Sequence, residues 1–144
     1  MAGGGGSGTI YLRGSTYQCC GSISQNKDVV TIRKGQPVAV HSSGVGVVLA
    51  GAALNGMYAV GLAKEDIAVG ASGPIADFGD FQMSDWTPVV GSPSLAAKAT
   101  YFLSDVVGQL STVSPSSPGD VSQIVLREIA PDTASLRIES PILI

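Results

Sequence analysis

The chain has 144 residues, enough for one domain that buries about two thirds of the surface its unfolded form exposes. Charged residues make up only 13% of it while the apolar fraction is an ordinary 44%, so much of its surface is expected to be covered by copies of itself or by a partner. A net charge of -3 with no Lys/Arg cluster excludes direct binding of nucleic acid, because nothing is placed to neutralise phosphates.

Residues 1–8, Met-Ala-Gly-Gly-Gly-Gly-Ser-Gly, cannot form a helix or strand unaided, since glycine loses the most backbone entropy on ordering. The expectation is an extended arm held by a neighbouring subunit, with Gly3 and Gly6 as contacts; an engineered linker is the competing reading. No basic start leads into an apolar segment with a small-residue cleavage site, so synthesis in a cytoplasm is expected. The arm is assigned to residues 1–28 and a structural domain to 29–144.

From Thr9 onward short strands alternate with turn residues, and the fold class is all-β. Strands are predicted at 9–13, 29–32, 36–41, 46–50, 57–63, 74–77, 87–90, 100–103, 108–113, 122–129 and 134–139, with one helical turn at 64–67. In the first, Ile10 and Leu12 share a face and could feed an added strand. Cys19 and Cys20 are adjacent, with Cα atoms about 3.8 Å apart, below the usual disulfide range. Two free thiols are expected; a vicinal disulfide or a metal pair is the alternative, although no second Cys/His pair completes a site. The longest apolar run, residues 45–54, is broken by Gly46 and Gly51 and falls far short of the ~20 residues that span a bilayer, so no membrane partner is expected. Residues 57–63 alternate large side chains on one face with small ones on the other, which suits a curved sheet in a compact barrel.

A faint internal echo runs through these elements. Gly35-Gln36-Pro37-Val38-Ala39-Val40, Gly46, 57–62 and 74–77 parallel Ala99-Thr100-Tyr101-Phe102-Leu103, Gly108, 122–126 and 134–138, at an offset of about 60 to 65 residues. The echo describes two similar halves closing on one core.

Residues that could carry chemistry are sparse. Gly3-Gly4-Gly5-Gly6-Ser7-Gly8 matches Gly-x-Gly-x-x-Gly, but neither a preceding strand nor a following helix gives it a phosphate-binding context. His41 is the sole histidine and ends a predicted strand, so a strand-end role is preferred over a catalytic base for Cys19 or Cys20. Asp77, Asp80 and Asp85 crowd one loop; solvated carboxylates are preferred over a cation site. No catalytic, cofactor-binding or metal residue is therefore assigned. Phe78, Phe81, Met83 and Trp86 gather scarce large apolar area, either as a lid on one end of the barrel or as anchors between subunits. The closing Pro141-Ile142-Leu143-Ile144 is a bare apolar tail that either ends a core strand or docks on a neighbour. The interface candidates are thus Gly3, Gly6, Ile10, Leu12, Phe78, Phe81, Trp86, Ile142 and Ile144.

The last third of the chain places Ala99-Thr100-Tyr101-Phe102-Leu103-Ser104, Gly108-Gln109-Leu110-Ser111-Thr112, Pro115-Ser116-Ser117-Pro118-Gly119-Asp120 and Ser140-Pro141-Ile142-Leu143-Ile144 in succession. That order resembles the capsid decoration, or cement, proteins of tailed bacteriophages: a hairpin, a Pro-Gly turn, two further strands and a Pro-hydrophobic tail. The resemblance covers roughly residues 29–144. It implies a small β-barrel or β-tulip domain, commonly a homotrimer, that sits on the virion's outer shell and clamps neighbouring major capsid subunits, with no enzyme activity and no cofactor. The longer leader and the Cys19-Cys20 pair depart from the simplest members and leave the arm's role open. A tail-fibre or head-to-tail attachment module is the alternative, and a surface sugar-binding or hydrolytic domain a more distant one.

Overall fold

The computed structural model describes residues 22–53 and 57–144. Short strands rich in Val, Leu, Ile and Ala, punctuated by glycine turns, form two five-stranded antiparallel sheets. In the first half, β1 (Ser22–Gln25), β2 (Pro37–Val40), β3 (Val47–Leu49), β4 (Gly61–Ala63) and β5 (Ser72–Ala76) lie in the order β1-β5-β4-β2-β3. In the second half, β6 (Phe78–Gln82), a helical turn α1 (Thr87–Val90), β7 (Thr100–Leu103), β8 (Leu110–Ser111), β9 (Val121–Ser122), β10 (Ile124–Ala130) and β11 (Thr133–Arg137) follow, and the sheet order is β6-β11-β10-β7-β8. The C-terminal β12 (Ile142–Leu143) pairs with β9 as a separate two-stranded ribbon.

The two sheets have one topology. In each, the first strand pairs with the last, the second pairs with both the third and the fourth, and every ladder is antiparallel. Pro37 and Thr100, which open the equivalent strands β2 and β7, stand 63 positions apart, as do Val47 and Leu110 opening β3 and β8. The hairpin turns share a backbone bond as well: His41 N–H donates to Gly46 O at 3.0 Å, and Ser104 N–H donates to Gln109 O at 3.1 Å. The echo in the sequence is a repeated strand order. The described strands form two open sheets, with no continuous ladder closing either into a barrel; in the first, a single parallel bridge between Asn26 and Val47 joins the outer strands.

The inner strands β2, β4 and β5 of the first sheet pack residues on both faces, while β1 is exposed. Alternation along a strand sends Val38, Ala63 and Ile75 to an aliphatic core with Ile32, Val47, Leu49 and Ile67, and sends Ala39, Leu62 and Ala76 to a larger core shared with the second half. That larger core holds Trp86, Val89, Tyr101, Leu103, Val125 and Leu126. Small residues on the shared face let the halves approach closely. The closest approach between the halves is at Gly35, where a Cβ would run into Met83 Sδ and stand 3.0 Å from Val89 Cγ2, whereas Gly61 lets β4 pack tightly on its neighbour β5. Gln36 also crosses the seam, donating from Nε2 to Gly108 O at 3.1 Å while Oε1 accepts the Arg33 N–H.

Several predicted elements change. Residues 22–28, assigned to the arm, belong to the first sheet: β1 pairs with β5, and Asn26 continues it. Residues 29–32 form no strand beyond the single bridge from Ile32 to Ile67, and residues 64–67 bend without a helical turn. Of the strand predicted at 57–63, only Gly61–Ala63 forms a ladder. The loop expected around Asp80 is β6, and the strand expected at 87–90 is α1. Asp85 explains the latter, since its Oδ1 accepts both the Thr87 N–H at 2.9 Å and the Thr87 hydroxyl at 2.6 Å, an Asx turn that starts the helix. Pro88 suits the first turn, and Gly91, at φ 77°, ends it in the left-handed region. The predicted strand 9–13 lies outside the described residues.

Candidate interaction surface

Gln123 organises the end of the chain. Its side chain is buried with all three of its bonds directed at backbone: Oε1 accepts the Ala59 N–H at 2.8 Å, and Nε2 donates to Ala59 O at 2.8 Å and Glu139 O at 2.9 Å. One amide thereby clamps the first half, the second half and the tail together. Beyond it, Glu139 N–H donates to Ile124 O at 3.0 Å, Ile144 N–H to Asp120 O at 2.9 Å and Gly119 N–H to Ile144 O at 3.2 Å. The tail is fixed along its backbone, yet Ile142 is 69% and Leu143 73% exposed. Successive strand residues face opposite ways, so the ribbon presents apolar side chains on both faces. A fixed backbone that displays isoleucine and leucine to water loses little further entropy on docking.

The surface continues toward β8. Ser114 Oγ lies 2.8 Å from Ser122 Oγ, which sets Val113, 72% exposed, beside the ribbon. At the other end of β8, Val106 and Val107 in the β7–β8 turn are exposed too. Beside β8 runs a groove of about 510 Å³ with Leu95, Tyr101 and Leu110 at its apolar base and Ser92, Ser94 and Thr112 at its rim. A second groove, of about 530 Å³, lies over Gln123 between Tyr58, Asp77, Ile138, Glu139 and Pro141.

Of the interface candidates, Ile142 and Ile144 are exposed on the ribbon, and Phe78, 58% exposed, stands on the outer strand β6. Phe81 and Trp86 are not on the surface. Alternation along β6 turns Phe78 out and Phe81 in, and Trp86 is fully buried beneath α1 with its indole Nε1 donating to Asp132 O at 3.1 Å. The two rings pack with centroids 6.0 Å apart at 57°. Both are core residues of the second half and leave the list of interface anchors. Gly3, Gly6, Ile10 and Leu12 lie outside the described residues, as do Cys19 and Cys20.

The residues weighed for chemistry are dispersed. His41 Nδ1 lies 2.9 Å from Ser43 Oγ within an exposed turn. Asp85 is engaged by Thr87, whose hydroxyl and then N–H hold the carboxyl below its ordinary pKa. Among the described residues, no three His, Cys, Asp or Glu side chains gather around a possible metal position. Two structural polar residues escaped sequence reasoning, Gln123 and Asn26. Their only signal was an amide inside or beside a strand, which occurs as often on a solvated face.

No protein-family model and no curated protein matches the chain.

Proposed function

We propose that the chain is a structural protein of a tailed-bacteriophage virion that decorates the outside of the capsid, self-associates as a homotrimer and clamps neighbouring major capsid subunits. The observation that carries this reading is the C-terminal ribbon: Ile142 and Leu143 are exposed on a backbone that four hydrogen bonds through Gln123, Glu139 and Ile144 hold in place. Such a fixed apolar edge suits burial against another protein. The scarcity of charge and the exposed Val106, Val107 and Val113 support the same role. The resemblance in the hairpin, Pro-Gly turn and Pro-hydrophobic tail supplies the virion context. Clamping would work by multivalency, in which several modest contacts per protomer add through high effective concentration.

Electron cryo-microscopy of particles with and without the protein tests the proposal. Added density repeated over the shell at capsomer junctions is the expected result. Density confined to the tail or one vertex would replace it with an attachment module, and absence of any added density would end the virion reading.

A further inference from the structure

We infer that the outer edge of β8 receives an added strand, the segment Thr9-Ile10-Tyr11-Leu12-Arg13 of a second copy of this chain. The receiving edge is argued from the fold alone; the choice of a second copy as donor rests on the self-associating role proposed above.

The first half supplies the template. In an antiparallel ladder alternate residues address the neighbouring strand while those between turn their N–H and C=O outward. On β3 the outward groups are those of Val47 and Leu49, and residues 27 and 28 engage two of them: Lys27 N–H donates to Val47 O at 2.8 Å, and Asp28 Oδ2 accepts the Leu49 N–H at 2.9 Å. On β8 the bond from Ser104 N–H to Gln109 O fixes the same phase, so Leu110 and Thr112 turn outward. In the second half the residues that follow β6 do not come across. Met83 N–H donates to Asp132 O at 3.0 Å, Trp86 Nε1 reaches the same carbonyl, and the chain turns into α1. Among the described residues nothing pairs with the outward N–H and C=O of Leu110, although Leu110 is buried. A buried backbone pair without partners is costly, and a strand laid along this edge supplies both.

The groove fits that occupant. Its base of Leu95, Tyr101 and Leu110 would take the alternate apolar residues Ile10 and Leu12, and its rim of serines and Thr112 would meet Thr9, Tyr11 and Arg13. The exposed Val106, Val107 and Val113 at both ends of β8 extend the apolar footprint beyond the groove. The 21 residues ahead of β1 can reach roughly 70 Å if extended at about 3.3 Å each, enough to arrive at a neighbouring molecule.

The test uses the full chain with a photo-crosslinking benzoylphenylalanine in place of Leu12, mixed with isotopically heavy protein that lacks it. Crosslinks between light and heavy chains that map to residues 92–96 or 110–113 are expected. Crosslinks confined to one chain, or mapping to the C-terminal ribbon, would overturn the inference. Independently, Thr112→Pro deletes an outward N–H at an exposed edge position without touching the β7 ladder, and should weaken self-association at least tenfold by light scattering. Thr112→Ala, which keeps that N–H, should associate as the native chain does; equal association of both variants would overturn the inference. Occupancy on capsids, measured in parallel, separates the two ideas: lost occupancy with the crosslinks intact sinks the decoration role and leaves the β8 edge standing.

Discussion

The two halves share a strand order and close it by different chemistry. In the first, a polar knot does it. Asn26 is buried, donates from Nδ2 to Ile67 O at 2.8 Å and Val30 O at 3.0 Å, and accepts the Asp28 N–H at 2.8 Å, so the residues after β1 lie against β3. In the second, an aromatic plug does it. Trp86 and Val89 from the α1 segment fill the space beside β8, with Gln109 Nε2 donating to Pro88 O at 2.8 Å. Local hairpins set the topology twice over, while the edge is finished by whatever follows the first strand of each half. The polar solution engages the outward Val47 carbonyl and Leu49 N–H of β3; the aromatic one leaves the outward groups of Leu110 without a partner among the described residues. The unpartnered edge of β8 therefore lies in the second half, where Val113 and the C-terminal ribbon adjoin it.

The largest effect should come from removing the plug. Trp86→Ala empties a fully buried site and should cost about 3–5 kcal/mol. Hydrogen exchange should show amides of β7, β8, β10 and β11 losing protection before those of β2–β5. Equal loss in both halves would show that they open as one unit and that the distinction is architectural only. Asn26→Ala should act the other way round, exposing β1 and β3 first. It removes three hydrogen bonds, of which only that to Ile67 O is buried, and Ile67 O keeps the Ile32 N–H, for a cost of roughly 2 kcal/mol; protection lost first in the second half would contradict the polar-knot account. At the seam, Gly35→Ala should cost about 2 kcal/mol, because its Cβ would run into Met83 Sδ and Val89 Cγ2 and its φ of 87° disfavours a side chain. Unchanged melting for that variant would mean that Met83 gives way freely and that the close approach of the halves at Gly35 is incidental.

Much of this architecture was legible because strands with apolar alternation between glycine turns announce themselves. Those at 36–41, 46–50, 100–103 and 108–113 were read at the right places, and so was the echo that relates them. What escaped was decided by contacts distant in sequence. Ser22-Ile23-Ser24-Gln25 carries one apolar residue, which is exposed, so β1 exists through its pairing with β5 and not through propensity. Phe78-Gly79-Asp80-Phe81-Gln82 reads as a loop until β11 pairs with it. Thr87-Pro88-Val89-Val90 has β-branched side chains and reads as a strand, but the Asp85 turn and Gly91 impose a helix. At the candidate surface, the tail was recognisable as apolar, whereas its fixation by Gln123 joins residues 64 positions apart and had no local signature. Clustering of Phe78, Phe81 and Trp86 in sequence suggested a shared face, and the period of β6 separated them.

The smallest expected effect is acid sensitivity in the second half, which sharpens the comparison from another side. Asp132, in the β10–β11 turn, accepts from Gln82 Nε2 and Thr133 Oγ1, each at 2.8 Å, and these bonds, that from Gln82 foremost, hold its carboxyl below the ordinary carboxylate range; Asp85 is lowered by Thr87 in the same way. A carboxylate with a depressed folded-state pKa favours folding above its unfolded value of about 3.9, and that contribution fades as pH falls through the folded value. Asp85 is exposed and Asp132 only half-buried, so the effect is modest, and it is local, because the Asp132 backbone carbonyl also receives Met83 N–H and the Trp86 indole. Lowering pH from 6 to below 4 should therefore loosen the β10–β11 turn, β6 and α1 first, with hydrogen exchange as the readout. Asp132→Asn should flatten that pH response at the turn, since asparagine has no charge to lose. Parallel responses in the variant and the native chain would assign the acid sensitivity elsewhere and detach Asp132 from the closure of the second half.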